Sequence, residues 1–142
     1  MNDPIIVEHY FDVPRETVWK SITQHDLMVQ WYFDNIESFE PRVGFETSFT
    51  VQVEDRIFPH HWKITEVLPE RKISYDWRYP NYPGEANVSF DILEENGQTK
   101  LTLTCQGIES FPQDIPEFNP ESCRAGWNYF IKGNLKDFLD KK

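Results

Sequence analysis

The side chains best suited to nucleophilic, acid–base or metal chemistry are four histidines and two cysteines: His9, His25, His60, His61, Cys105 and Cys123. His60 and His61 are adjacent, so on a strand their side chains point to opposite faces, which is poor geometry for one shared metal ion. The cysteines form no Cys-x-x-Cys motif, and we expect reduced thiols, with a Cys105–Cys123 disulfide as the alternative. The chain also has no His-x-x-x-His, Gly-rich phosphate loop or Gly-x-Ser-x-Gly motif. We therefore predict no metal site, no cofactor and no catalytic residue.

His60 has two possible placements. It has the same strand parity as Trp62 and could face the interior, but we favour a rim or surface position. The polar residues that come nearest to an enzymatic role in a pocket are His60, Tyr75, Arg78 and Tyr79. No pair of carboxylates is spaced for general acid–base catalysis. The sequence thus favours a protein without catalytic activity.

The charge balance excludes several classes of partner. Among 142 residues, 24 are acidic and 14 are basic, which gives a formal net charge of −10. Nucleic acids and anionic lipid surfaces require clustered Lys and Arg, so we expect neither as a partner. No apolar run is long enough to span a bilayer, and residues 1–4 do not open a secretory leader. We therefore expect a cytoplasmic protein without membrane insertion.

Aromatic residues are abundant in this acidic chain. They make up 15% of it, including 5 Trp and 11 Phe, which predicts an acidic exterior around an aromatic interior. Acidic side chains also gather near the late loop, at Glu109, Asp114, Glu117 and Glu121. They either form a docking surface for a basic partner or keep the outer surface solvated, and we favour the second interpretation.

The helical segments are indicated by caps and by periodicity. A first short helix begins near Pro14, and a second begins with Asp26 as its N-cap. From about Asn119 the apolar residues recur at three- and four-residue steps, which predicts one long C-terminal helix. Gly126 and Gly133 lie within it, and we expect each to admit close approach of another backbone or to relieve crowding.

Alternating apolar residues predict one strand before the helices and six after them, at residues 5–11, 36–39, 45–53, 57–68, 72–79, 87–93 and 99–106. Because these strands are half apolar, they predict an antiparallel sheet with one wet face. The other face and the C-terminal helix each need a large apolar partner, and each is the only large partner available to the other.

Six segments in this order carry a family resemblance: residues 13–23, 26–32, 42–44, 68–77 and 99–104, and the C-terminal helix with Gly126-Trp127. The chain resembles the heat-shock protein 90 ATPase activator-like branch of the SRPBCC superfamily, also called START-like or birch-pollen-allergen-like. The resemblance covers roughly residues 5–140. It implies an α+β helix-grip fold of order β-α-α-β6-α, in which a curved antiparallel sheet wraps around the long C-terminal helix. Residues 1–142 are then a single START-like domain.

The sequence departs from that family at three places. Phe45 stands where a second Gly often follows Gly44, and Cys105 stands where His is frequent near the end of the last strand. The loop of residues 106–117 is individual, and the resemblance places it near the mouth of a cavity between sheet and helix.

The resemblance favours a small, partly open cavity, although any single aromatic residue is more often part of a plain core. The expected lining residues are Trp31, Phe49, Trp62, Tyr75, Trp77, Phe90, Cys105, Cys123, Trp127 and Phe130. The two cysteines would serve as soft apolar lining rather than as nucleophiles.

Three functions remain open at this point. The leading one is non-enzymatic binding of a small hydrophobic or amphipathic, lipid-like ligand. The second is a co-chaperone-like role in which the protein stimulates a heat-shock protein 90 type ATPase in a stress response. The third is a cyclase or hydrolase that uses one polar pocket residue. The expected partners are a small hydrophobic ligand and a chaperone, and the expected state is a monomer or a homodimer.

Overall fold

The computed structural model describes residues 4–141. The predicted domain also includes residues 1–3, at the start of the chain, and residue 142. These residues lie outside the described ones. The strands are β1 (Ile5–Phe11), β2 (Glu46–Val53), β3 (Arg56–Leu68), β4 (Lys72–Arg78), β5 (Ala86–Glu95) and β6 (Gln98–Gln106). They form one sheet of order β1-β6-β5-β4-β3-β2, in which every neighbouring pair is antiparallel.

The helices lie where the periodicity placed them. They are α1 (Arg15–Thr23), α2 (His25–Trp31), α3 (Pro120–Asn128), a π-helical segment (Tyr129–Leu135) and α4 (Lys136–Asp140). The last three are continuous, and we call them the C-terminal helix. The sheet curves around this helix and buries an aromatic and aliphatic core against it. The predicted α+β helix-grip fold is therefore confirmed.

One predicted strand is wrong. Residues 36–39 pair with no strand, so the sheet has six strands rather than seven. Ile36 and Phe39 are both buried, but they are three residues apart, and the two residues between them are exposed. A strand would bury every second residue. This segment is instead a coil held by two apolar side chains.

The start of α2 also differs from the prediction. The N-cap is Gln24, and Asp26 lies within the first helical turn. An acidic side chain is favourable there because the helix N-terminus carries a partial positive charge.

The C-terminal helix begins as predicted and then widens. The Asn119 side chain accepts a hydrogen bond of 2.9 Å from the Ser122 amide, and Pro120 occupies the first turn. The buried residues of the helix are Trp127, Ile131, Leu135 and Leu139, each four positions after the one before. In a regular α-helix that spacing rotates by roughly 40° per step. A π-helical turn contains more residues. The π-helical segment therefore keeps the side chains of these four residues directed toward the sheet over more of the helix.

The predicted role of the two helix glycines is wrong. A Cβ atom added at Gly126 or at Gly133 would meet no neighbouring atom within 4 Å. Neither glycine therefore admits a close backbone, and each leaves space open.

The packing of the π-helical segment predicts a large loss of stability on truncation. Ile131 is 0% exposed, so we expect Ile131→Ala to lower the free energy of unfolding by about 2–5 kcal/mol through lost burial and a residual cavity. The neighbouring Lys132 is exposed, and Lys132→Ala should change stability by less than about 0.5 kcal/mol. Denaturant unfolding measures both. Equal effects of the two substitutions would contradict the observed orientation of the segment.

Candidate ligand cavity

A cavity of about 170 Å³ lies between the sheet, α3 and the loop that follows β6. Five of the predicted lining residues form part of its wall: Trp77, Cys105, Cys123, Trp127 and Phe130. Trp77 and Cys105 come from the inner face of β4 and β6, whereas Cys123 and Trp127 come from α3 and Phe130 from the helical turn after it. The wall is mainly apolar, and it is aromatic on both the sheet side and the helix side.

The other five predicted lining residues do not reach this cavity: Trp31, Phe49, Trp62, Tyr75 and Phe90. They pack beside it, four of them in contact with Tyr32. The Tyr32 ring stacks on Trp31 with centroids 4.7 Å apart and on Trp62 at 5.4 Å. It also meets the edge of Phe90, and its hydroxyl hydrogen-bonds that of Tyr75 at 2.9 Å. Tyr32 thus fills the space that the prediction left open.

The position of Tyr32 results from the end of α2. Tyr32 is the C-cap of that helix, with φ −102° and ψ −126°, which are not helical values. The chain therefore leaves the helix at this residue, and the ring of Tyr32 enters the core instead of continuing the face of α2. Burial raises the pKa values of Tyr32 and Tyr75 far above the ordinary tyrosine value, so both hydroxyls stay protonated.

His60 is a lining residue that the sequence analysis placed wrongly. Its side chain is 4% exposed, so it lies in the interior and not at the rim. Its ring stacks on Phe49 at 4.7 Å and meets Tyr79 at 4.8 Å, Phe33 at 5.2 Å and Trp77 at 5.3 Å. Three of these four aromatic neighbours, all except Phe49, also line the cavity.

The hydrogen bonding of His60 defines its tautomer. Nδ1 lies 2.8 Å from the carbonyl oxygen of Phe58, and a carbonyl can only accept, so Nδ1–H donates. Burial lowers the pKa of His60 from 6.5 to about 4. The imidazole is therefore neutral near pH 7, and Nε2 carries a lone pair. His61 points to the opposite face, as predicted, where it hydrogen-bonds Ser48 and Glu46.

Both cysteines are free thiols on the cavity wall. Burial raises the pKa of Cys105 to about 12 and that of Cys123 to about 11. Both thiols are therefore protonated and unreactive near pH 7. The Cys123 thiol donates to the Glu117 carbonyl oxygen at 3.7 Å. Within residues 4–141, no group of three His, Cys, Asp or Glu side chains is arranged to hold a metal ion.

The loop after β6, residues 107–119, closes one side of the cavity, and we call it the capping loop. Phe111 and Phe118 from this loop line the cavity, and their rings are 5.3 Å apart. The loop leaves β6 at Gly107, where φ is +92° and a Cβ atom would lie 2.7 Å from the Glu85 carbonyl oxygen. Only glycine suits this position, because any side chain would be strained and would clash.

An ion pair ties the capping loop to the β2–β3 hairpin. Arg56 binds Glu117 through two nitrogens, and the Nε–Oε1 distance is 3.1 Å. A two-pronged contact of this kind restrains both side chains, and Arg56 lowers the pKa of Glu117. Glu117 lines the cavity with its charge already paired.

A sheet that wraps around a C-terminal helix and leaves a cavity at their junction defines a START-like protein. The family model described as "Activator of Hsp90 ATPase homolog 1-like protein" matches residues 12–140. The chain belongs to this family, the heat-shock protein 90 ATPase activator-like branch of the SRPBCC superfamily. No curated protein matches the chain. Within residues 4–141, no helix has the length and apolar character needed to cross a bilayer.

Several solved structures have the same fold. Protein CV1439 from Chromobacterium violaceum is 19% identical with a TM-score of 0.79, and the match covers 97% of each chain. Mll3558 from Rhizobium loti is 15% identical with a TM-score of 0.82, again over 97% of each chain. The Aha1 dimer from Colwellia psychrerythraea is 20% identical with a TM-score of 0.74, over 96% of this chain and 95% of that one. At these identities the similarity establishes the fold alone.

The neutral, buried His60 predicts a loss of stability in acid. Its pKa is 6.5 when unfolded and about 4 when folded, so between these values the unfolded chain binds more protons than the folded one. The free energy of unfolding should therefore fall as the pH falls through this window, by at most about 1.4 kcal/mol per pH unit. His60→Phe should remove this contribution, and His61→Phe on the opposite face should keep it. Denaturant unfolding at a series of pH values tests this, and identical profiles for wild type and His60→Phe would contradict it.

Proposed function

We propose that this protein binds a small apolar or aromatic molecule in the cavity and performs no chemistry on it. The observation that carries the proposal is the space of about 170 Å³ between β4, β6, α3 and the capping loop, with its mainly aromatic wall. Folded proteins are packed as densely as organic crystals and have few voids larger than a water molecule. An apolar cavity of this size in an otherwise dense aromatic core favours an apolar guest.

The cavity volume limits the size of the molecule that can bind. A dry apolar cavity of about 150 Å³ is known to hold benzene, whereas pockets for drug-sized ligands measure about 300–1,000 Å³. The cavity therefore suits a single ring better than a lipid chain. A lipid-like ligand would need the capping loop to move outward, which would break the ion pair of Arg56 with Glu117.

The chemistry of the wall supports binding over catalysis. The two thiols are protonated, and Glu117 is paired with Arg56. Of the other enzymatic candidates, Tyr75 is hydrogen-bonded to Tyr32 and neither it nor Arg78 lines the cavity, whereas Tyr79 lines it with a hydroxyl that burial keeps protonated. These side chains provide no activated nucleophile beside a guest.

A co-chaperone role is the second candidate, because the family model describes activators of the Hsp90 ATPase. Glu109, Asp114 and Glu121 are exposed in and beside the capping loop, and the structure pairs none of them with a described basic side chain. They would offer an acidic surface to a basic partner. The assembly state that we propose is a monomer or a homodimer in the cytoplasm.

Filling the cavity should weaken ligand binding. Gly126 lines the cavity and leaves space open, so Gly126→Leu should place a side chain in it and weaken toluene binding by about tenfold or more through steric exclusion. Gly133→Leu is the matched control, because Gly133 lies in the same helix and does not line this cavity. Calorimetric titration with toluene measures both variants against wild type. A wild-type protein that binds no toluene, or a Gly126→Leu variant that binds it normally, would overturn the proposal.

The co-chaperone candidate makes a separate prediction. The protein should raise the ATPase rate of a purified heat-shock protein 90, and added salt should weaken the effect because the surface is charged. Replacing Glu109, Asp114 and Glu121 with Lys should abolish it, while toluene binding stays unchanged. An unchanged ATPase rate at saturating protein would remove this candidate.

A further inference from the structure

The cavity wall includes His60, whose neutral imidazole has one hydrogen-bond acceptor that the protein does not use. Nδ1–H of His60 donates to the Phe58 carbonyl, so Nε2 is the lone-pair nitrogen of this neutral ring. Nε2 has no hydrogen-bond partner among residues 4–141. His60 is only 4% exposed as a residue, and Nε2 retains part of that accessible surface. An acceptor in aromatic surroundings gains a hydrogen bond when a donor enters the cavity.

The position of Nε2 makes it available to a guest. In a histidine ring Nδ1 lies close to the main chain and Nε2 lies farther out. The Nδ1 side of His60 faces its own strand, and the ring is surrounded by Phe33, Trp77 and Tyr79, which line the same cavity. His60 therefore belongs to the cavity wall, and Nε2 is at the edge of its ring that points away from its own main chain.

Other polar groups on the wall have different roles. The Cys123 thiol donates to the Glu117 carbonyl, and the Glu117 carboxylate binds Arg56. Ser122 is exposed. A guest therefore meets the neutral imidazole of His60, the protonated hydroxyl of Tyr79 and a carboxylate whose charge is already paired.

These surroundings select the kind of donor. An ammonium group would enter an apolar cavity without a free carboxylate, and its desolvation would be poorly compensated. An ionised carboxylic acid would carry no donor at all. A phenol is neutral near pH 7, since its pKa is about 10, and it carries its donor directly on a ring of the right size. Resting on the binding function proposed above, we infer that the cavity selects a neutral single-ring phenol whose hydroxyl donates to Nε2 of His60.

Phenol and toluene form a matched pair of probes, because a hydroxyl replaces a methyl group of similar size. If the hydroxyl donates to Nε2, loss of the imidazole must weaken phenol binding and leave toluene binding nearly unchanged. Without the imidazole, the phenol hydroxyl would enter the cavity as a donor that has lost its partner, which lowers the affinity for phenol by about tenfold or more. The quantity to compare is the ratio of phenol to toluene affinity in each variant, because this ratio cancels changes common to both ligands.

The experiment is calorimetric titration of phenol and toluene near pH 7 into wild type, His60→Phe and the matched control His61→Phe. We expect His60→Phe to lower the phenol-to-toluene affinity ratio by about tenfold or more. His61→Phe should leave the ratio unchanged, because His61 faces away from this cavity.

A second measurement does not depend on the folding of any variant. In wild-type protein with ¹⁵N-labelled histidine, phenol should shift the Nε2 resonance of His60 toward lower frequency, as for an acceptor that gains a hydrogen bond, and toluene should not. If wild type binds neither probe, the proposed binding function fails. If toluene binds while the affinity ratio and the Nε2 resonance do not change, the binding function stands and the phenol inference is wrong.

Discussion

The structure depends on how the space between the concave face of the sheet and the C-terminal helix is filled. Tyr32 fills a central part of that space. Its ring stacks between Trp31 and Trp62, and its hydroxyl meets that of Tyr75 inside the core. Stacked and edge-on rings of this kind gain packing energy beyond the area that they bury. Tyr32 occupies one part of the interior, and the cavity lies in another part, between Gly126 and the capping loop.

That remaining space is maintained by features of three different elements. Gly126 contributes no side chain from the helix, and Gly107 lets the chain turn sharply into the capping loop. Arg56 holds Glu117 and with it the loop. His60 contributes the neutral imidazole, and the same burial that lowers its pKa leaves one ring nitrogen without a partner. The cavity is thus small and mainly apolar, and His60 and Tyr79 are polar residues on its wall.

Much of the fold could be predicted from the sequence, because strand alternation and helical periodicity report directly which face of an element is apolar. Trp77 and Trp127 were assigned to the same interior space for this reason, and they do line the cavity. The same patterns do not show where along the inner face of the sheet a side chain lies relative to the cavity. Trp62 and Trp77 share an inner face, yet Trp62 packs against Tyr32 and only Trp77 reaches the cavity. The helical periodicity of apolar residues also ends at a helix cap. The sequence pattern therefore does not indicate that the chain turns inward at Tyr32, the C-cap of α2. The open space at Gly126 has no sequence signal either, because a glycine that admits a backbone and one that leaves a void look alike in sequence.

The central claim is that this residual space is open to a guest of single-ring size. A crystal structure of the protein soaked with bromobenzene tests it most directly, because anomalous scattering from bromine marks the position of the guest without ambiguity. We expect a bromine peak inside the cavity, with the ring between Trp127 and Phe118 and near His60. A cavity in which Trp127 or Phe118 has moved to fill the space, with no bromine inside it, would contradict the account.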